Sequence, residues 1–314
     1  MGIETISLII IAAMLFLMAC GVPLVYTTLS IAIACTMYHF YGVTGDAFMG
    51  LPLVASRVGG FVTEYVFVAV PLFVMMASIL EKSGVAKDLY DAMFLISGRL
   101  RGGVAVQTTL VAVVMAAMTG IIGGEIVLLG LLALPQMMRL GYDKKLAMGT
   151  ICAGGSLGTL IPPSVVLIVY GLVANVSISK LFLAGAIPGL MLATLYITYI
   201  IIRCWLQPSL APSAAGYADT IERSEKIRLI KGLILPIGVI VWVLGSIYGG
   251  IASVTEAAAV GVVGAIASAI VRKEFSFAML RDALFQTMRT VGMLIWLSFG
   301  ANALVGIYNI MGGT

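Results

Sequence analysis

Charge is what this sequence has least of. Only 10% of its 314 residues are Asp, Glu, Lys or Arg, 61% are hydrophobic, and the mean hydropathy is +1.13. No soluble domain of this length carries so little charge on so much apolar surface, so the solvent for most of the chain is lipid. Histidine is limited to His39, and the four cysteines, Cys20, Cys35, Cys152 and Cys204, are scattered. That spacing argues against a metal site or a disulfide framework. The sequence also has no histidine cluster, no paired intramembrane Asp and no nucleophile beside a plausible base, which argues against a membrane-embedded enzyme. Glu4 is the only charge before the apolar run ending at Cys20. Without a basic leader, that run reads as a first transmembrane helix and not as a lipoprotein signal.

Lipid leaves backbone N–H and C=O groups no partner outside the chain, so spanning segments must be helices or a closed barrel. The apolar runs are too long and unalternating for barrel strands. The sequence therefore predicts an all-α polytopic membrane protein. Runs of spanning length, roughly 17–25 residues, fall at 3–20, 22–40, 61–80, 182–202, 232–249, 254–271 and 290–311. Two further stretches, 103–138 and 146–174, are apolar but interrupted. The first is too long for one crossing and is flanked by Arg99 and Arg101 on one side and Arg139, Lys144 and Lys145 on the other. Basic residues at both ends predict a hairpin that returns to its own side, with the glycine-rich segment from Thr119 to Glu125 as its tip.

Counting Lys and Arg tests this topology. With the N-terminus periplasmic, sixteen of the eighteen basic residues fall inside, and only Arg57 and Lys180 fall outside. The polar stretch 207–231 then reads as a cytoplasmic linker between two halves of opposite orientation, which is the pattern of inverted-repeat transporters. The expected organisation is scaffold helices at 1–100, a transport-domain hairpin and broken helix at 101–180, a closing helix at 181–206, the linker, and a partial second repeat of scaffold helices at 232–314. By analogy with 101–204, roughly 100 residues of the second repeat lie beyond this chain.

The chemistry is expected in GGSLGTLIPPS, Gly154 to Ser164. Pro162 and Pro163 withhold backbone donors, and the glycines tolerate non-helical geometry, so the helix should break. Carbonyls freed there, with Ser156 Oγ and Thr159 Oγ1, are hard oxygen ligands of the kind an alkali cation prefers. A packing kink, with the hydroxyls bonded to their own backbone, is the alternative reading. Glu125 either lies in a polar cavity, ligating a cation or relaying a proton, or is solvated at the tip. Ser253 or Thr255 is expected to cap a helix with Glu256 in its first turn. The small residues of 254–271 predict close helix packing.

Residues 141–171, GYDKKLAMGTICAGGSLGTLIPPSVVLIVYG, and 177–190, SISKLFLAGAIPGL, together with TEAAAVGVV at 255–263 and LEKSGVAKDL at 80–89, resemble the large membrane subunit of tripartite ATP-independent periplasmic (TRAP) transporters, the DctM-like permeases. The resemblance implies an inner-membrane, sodium-coupled secondary transporter of elevator type that imports small organic acids. It also implies two partners, a small four-helix membrane subunit and a periplasmic substrate-binding protein, and no cofactor beyond sodium as the coupling ion. Carried over by position, sodium would be held by Thr119, Gly120, Gly123 and Gly124 at the tip and by Gly155, Ser156, Gly158, Thr159 and Pro162 at the break. Substrate would sit beside them, near Glu125 and Ser164. Ile121, Ile122 and Glu125 stand where tips in the family are rich in Ser, Gly and Ala, and Val254 stands where a proline often precedes Thr-Glu-Ala. The competing readings are a stand-alone dicarboxylate/sodium symporter and a truncated, non-transporting fragment.

Overall fold

A computed structural model describes residues 3–97, 101–120, 124–174, 176–212 and 223–313. Among them the regular structure is entirely helical, with thirteen α-helices and short 3-10 turns. Five helical segments are long and apolar enough to cross a membrane. The chain forms two compact units, residues 1–67 with 288–314, and residues 68–287.

The first unit holds α1 (Ile3–Ala19), α2 (Leu24–Thr44) and α3 (Leu51–Thr63), with residues 288–310 of the last helix, α13 (Phe277–Ile310). Pro23 opens α2, where its fixed φ suits a helix start and its missing N–H would have no partner. Ala32, Ala303 and Ile307 make the buried centre, with Leu29, Val54 and Val58 packed around them. The Ser7 hydroxyl and the Tyr308 phenol share a 2.8 Å hydrogen bond. The outer faces are apolar: Leu15, Phe16 and Tyr41 are exposed, as expected of side chains whose surroundings are acyl chains.

The second unit contains α4 (Ala69–Lys82), α5 (Val85–Ser97), α6 (Gly103–Thr119), α7 (Gly124–Arg139), α8 (Lys144–Ser156), α9 (Val165–Ala174), α10 (Ile178–Leu206), α11 (Arg223–Tyr248), α12 (Val254–Val271) and the start of α13. On α12, Ala257, Ala258, Gly261, Ala265 and Ala269 are buried. This small-residue face lets α4 and α11 approach closely, and a Cβ on Gly261 would press on Met76 Sδ and Val243. The close packing expected of 254–271 is thus present. The helix also opens as expected. The Ser253 hydroxyl accepts from Glu256 N–H at 3.3 Å, and the Glu256 carboxylate accepts from Ser253 N–H at 2.8 Å, so two amides at the helix start are satisfied reciprocally. Asp88 of α5 pairs with Arg272 at the end of α12. Gln286 donates to Glu81 at 3.0 Å.

The stretch 103–138 is a hairpin. Helices α6 and α7, each about 25 Å long at 1.5 Å per residue, share one apolar core: Val104, Ala105, Val111, Ala112 and Met115 pack with Leu129, Ala133 and Met137. The two ends come back together, because the Tyr142 phenol oxygen, just past α7, accepts the Val104 N–H in the first turn of α6 at 3.3 Å. Burial pushes the Tyr142 phenol up to about 12, so the tie is neutral across the physiological range. Asp143 then caps α8, accepting from Lys145 and Leu146 N–H at 3.0 and 3.1 Å.

Three segments differ from the sequence reading. The chain between α2 and α4 forms a separate helix, α3, so the run expected at 61–80 begins only after Thr63. Helix α11 starts at Arg223, inside the stretch read as a linker, because residues 223–231 contain no glycine or proline to stop it. Helix α13 starts at Phe277, well before position 290, for the same reason.

Candidate functional site

The helical ladder fails where the prolines require it. Helix α8 ends at Ser156, a 3-10 turn covers Leu157–Thr159, and regular helix resumes only at Val165. Pro162 and Pro163, joined by a cis peptide bond, offer no N–H to the carbonyls four residues earlier, those of Gly158 and Thr159. The break lies against α10, where a Cβ on Gly185 would meet the Leu160 carbonyl oxygen at 2.8 Å and one on Gly189 would meet Ile161 Cγ1 at 2.8 Å. Sequence reasoning passed over both glycines. Their spacing, Gly185 and Gly189 within an apolar helix, is the small-xxx-small pattern that permits such an approach.

The hairpin tip meets this break. Gly120 takes a left-handed conformation, φ +59°, at the end of α6, and its carbonyl accepts the Val165 N–H at 3.1 Å. A Cβ at Gly120 would run into the Pro163 carbonyl oxygen. On the other side of the tip, Ile126 of α7 lies directly on the Gly155 backbone, where a Cβ would strike its side chain. The end of α6 and the first turn of α7 are therefore braced against opposite flanks of the break. The structure thus brings together Thr119, Gly120 and Glu125 from the hairpin with Gly155 and Ser164 from the broken helix. Gly123 lies outside the described residues, as do Ile121, Ile122 and Asn175. Gly124 is exposed, while Gly158 and Pro162 are buried in the break itself.

The hydroxyls are already committed as donors. Ser156 Oγ donates to the Ala153 carbonyl at 2.7 Å, Thr159 Oγ1 to Ser156 at 3.0 Å, and Thr119 Oγ1 to Met115 at 3.1 Å. These are the local bonds expected of a packing kink. They are also compatible with ligation, since a hydroxyl that has given its hydrogen to a carbonyl keeps lone pairs for a cation. Two other groups are not satisfied within the described residues. Ser164 Oγ is fully buried without a partner, and both oxygens of Glu125, 1% exposed, lack a well-formed hydrogen bond. The Thr119 hydroxyl is the polar group beside that carboxyl. Glu125 is therefore buried and not solvated at the tip. Buried polar groups in native proteins almost always have partners, so these two stand out at the junction.

The donor set is oxygen only: carbonyls, hydroxyls and one carboxylate. It fits a hard cation such as sodium and not a thiophilic or imidazole-seeking metal. Among the described residues, no three His, Cys, Asp or Glu converge on a point. A cavity of about 620 Å³ lies elsewhere, among α6, α8 and α10, lined by Thr109, Asp143, Lys145, Tyr196 and Arg203 among others, and none of the expected site residues reaches it.

Comparison with known proteins agrees with this architecture. The family model for the DctM component of the tripartite ATP-independent periplasmic transporter matches residues 11–313. The C4-dicarboxylate TRAP transporter large permease protein DctM of Vibrio cholerae is 32% identical over 252 residues, 80% of this chain and 54% of that protein. The ectoine TRAP transporter large permease protein TeaC of Halomonas elongata is 30% identical, covering 82% of this chain and 58% of its own length. The 2,3-diketo-L-gulonate TRAP transporter large permease protein YiaN of Escherichia coli is 29% identical, with 79% and 57% covered. The chain spans little more than half the length of the curated relatives it matches. A match along nearly all of its residues shows that the chain belongs to the DctM family of TRAP transporter large permeases, multi-pass membrane proteins that carry solutes and are not enzymes.

Proposed function

We propose that the protein works as the large permease of a sodium-coupled importer of small organic acids, receiving substrate from a periplasmic binding protein and paired with a small membrane subunit. Three of the substrates in its relatives' names, C4-dicarboxylates, ectoine and 2,3-diketo-L-gulonate, are small carboxylate-bearing solutes. The observation that carries the reading is the contact of tip with break, Gly120 carbonyl to Val165 N–H at 3.1 Å, which gathers bare oxygens inside an apolar protein. Hard ligands at such a junction suit sodium, and the helix starts at α7 and α9 suit an anionic solute. The hairpin and the broken helix would move together past the remaining helices, which act as scaffold. This is elevator transport, built on inverted repeats with 207–231 as a cytoplasmic linker.

The coupling site takes Thr119, Gly120, Gly123 and Gly124 from the tip and Gly155, Ser156, Gly158, Thr159 and Pro162 from the break, with Glu125 and Ser164 at its edge on the substrate side. Replacing Ser156 and Thr159 together by Ala removes two hydroxyl oxygens with little volume change. In vesicles holding the chain with its membrane and binding-protein partners, we expect uptake to need several-fold more sodium for half-maximal rate, at unaltered expression. An unchanged sodium titration removes both residues from the site.

A further inference from the structure

Glu125 is the one buried carboxylate in the hairpin, and its surroundings are unusual for an acid. It is 1% exposed and lies in the first turn of α7. Neither oxygen has a well-formed hydrogen bond, and among the described residues no ion pair involves it. Its position is fixed from both sides. Five residues earlier, Gly120 is bonded to Val165; one residue later, Ile126 sits on Gly155. The carboxyl has the Thr119 hydroxyl beside it, at the end of α6, and so faces the tip. Ser164 Oγ, another buried oxygen without a partner, flanks the same junction through Gly120 and Pro163.

A role as substrate contact conflicts with charge. An organic acid reaches the junction as an anion, and a bare carboxylate in a low-dielectric site repels it. A monovalent cation between the two attracts both. Resting on the proposed sodium-coupled reading, we propose that Glu125 is a direct ligand of the coupling cation, with Thr119 Oγ1 as a neutral co-ligand, and does not contact the substrate. The carboxylate supplies the negative charge that the break lacks, and its oxygen is the hard donor that sodium prefers. Coupling follows from the same geometry. Before sodium binds, the junction offers an anion no cation, and any ionised form of the carboxyl repels it. Once sodium is bound, the site is neutral and the positive ends of α7 and α9 favour the anion. Sodium therefore binds first, and by linkage the substrate tightens sodium by the same factor.

The test uses the chain itself, purified in detergent, with thermal unfolding followed in sodium chloride and in choline chloride of equal ionic strength. For the wild type we expect sodium to raise Tm in a saturable way. For Glu125→Gln, which keeps shape and cannot ionise, we expect Tm in choline to equal or exceed that of the wild type, because the buried carboxyl has no partner to lose. The sodium concentration for half the shift should rise about tenfold or more, or the shift should vanish, since charge count sets the affinity of oxygen sites. Glu125→Asp should keep a weakened response. A Gln variant that responds to sodium like the wild type overturns the assignment. So does a Gln variant that melts below the wild type in choline, since the carboxyl would then have a structural partner. A wild-type chain with no sodium response removes the sodium-coupled reading itself, and this inference with it.

Discussion

At the scale of single residues, Gly120 is the most constrained position described here. Its left-handed φ and the absence of a side chain are both required, because the Pro163 carbonyl oxygen lies where a Cβ would be. Gly120→Ala is expected to cost at least about 1–2 kcal/mol for the backbone conformation alone, and more for parting the tip from the break. A fall in Tm should be accompanied by loss of sodium response; a variant with full stability and full response would show that the contact is dispensable. The sequence made much of this site legible. Glycines around a tip and paired prolines in an apolar run announce departures from helix, and Ser253 with Glu256 announces a cap. The burial of Glu125 was not legible, since a carboxylate at a glycine-rich tip is equally compatible with water. Only the packing of Ile126 on Gly155 and of Gly120 on Pro163 decides where its neighbourhood lies.

At the scale of elements, the break is held by its contact with α10. Gly185 and Gly189 let that helix lie on the Leu160 carbonyl and on Ile161, and in lipid such closeness is what stabilises helix pairs. Gly185→Val should push α10 away from the break and destabilise the second unit by about 1–3 kcal/mol, the usual range for overpacking. The measurement is thermal unfolding in detergent, and Ser209→Ala, exposed beyond the end of α10, should leave Tm unchanged. Hydropathy located most spans but not their ends. It marks where lipid is, whereas a helix extends into polar sequence that has no breaker, and runs through interior prolines such as Pro188 and Pro236. That is why α13 begins at Phe277 and α11 at Arg223. Helix α3 escaped notice for a related reason. At thirteen residues it is too short for a hydropathy window, and Arg57, Gly59 and Gly60 make its composition that of a loop.

At the scale of the whole molecule, the charge asymmetry predicts an orientation that can be measured. Helix α3, about 20 Å long at 1.5 Å per residue, is too short to cross and leaves the parity of crossings unchanged. In a background without native cysteines, Ser56→Cys should react with an impermeant thiol reagent added outside intact cells. Lys144→Cys should react only after permeabilisation. The reverse pattern would invert the topology and move the hairpin base to the periplasm.

The hairpin is fastened at both extremities: its arms are joined at the base by Tyr142 to Val104, next to Asp143, which donates its N–H to the Leu210 carbonyl at 2.9 Å, and its crown is held by Gly120 to Val165. A lever tied at each end cannot swing like a flap. In the proposed cycle the whole strut is carried with its neighbours, so a covalent staple between the arms of α6 and α7 should leave transport running.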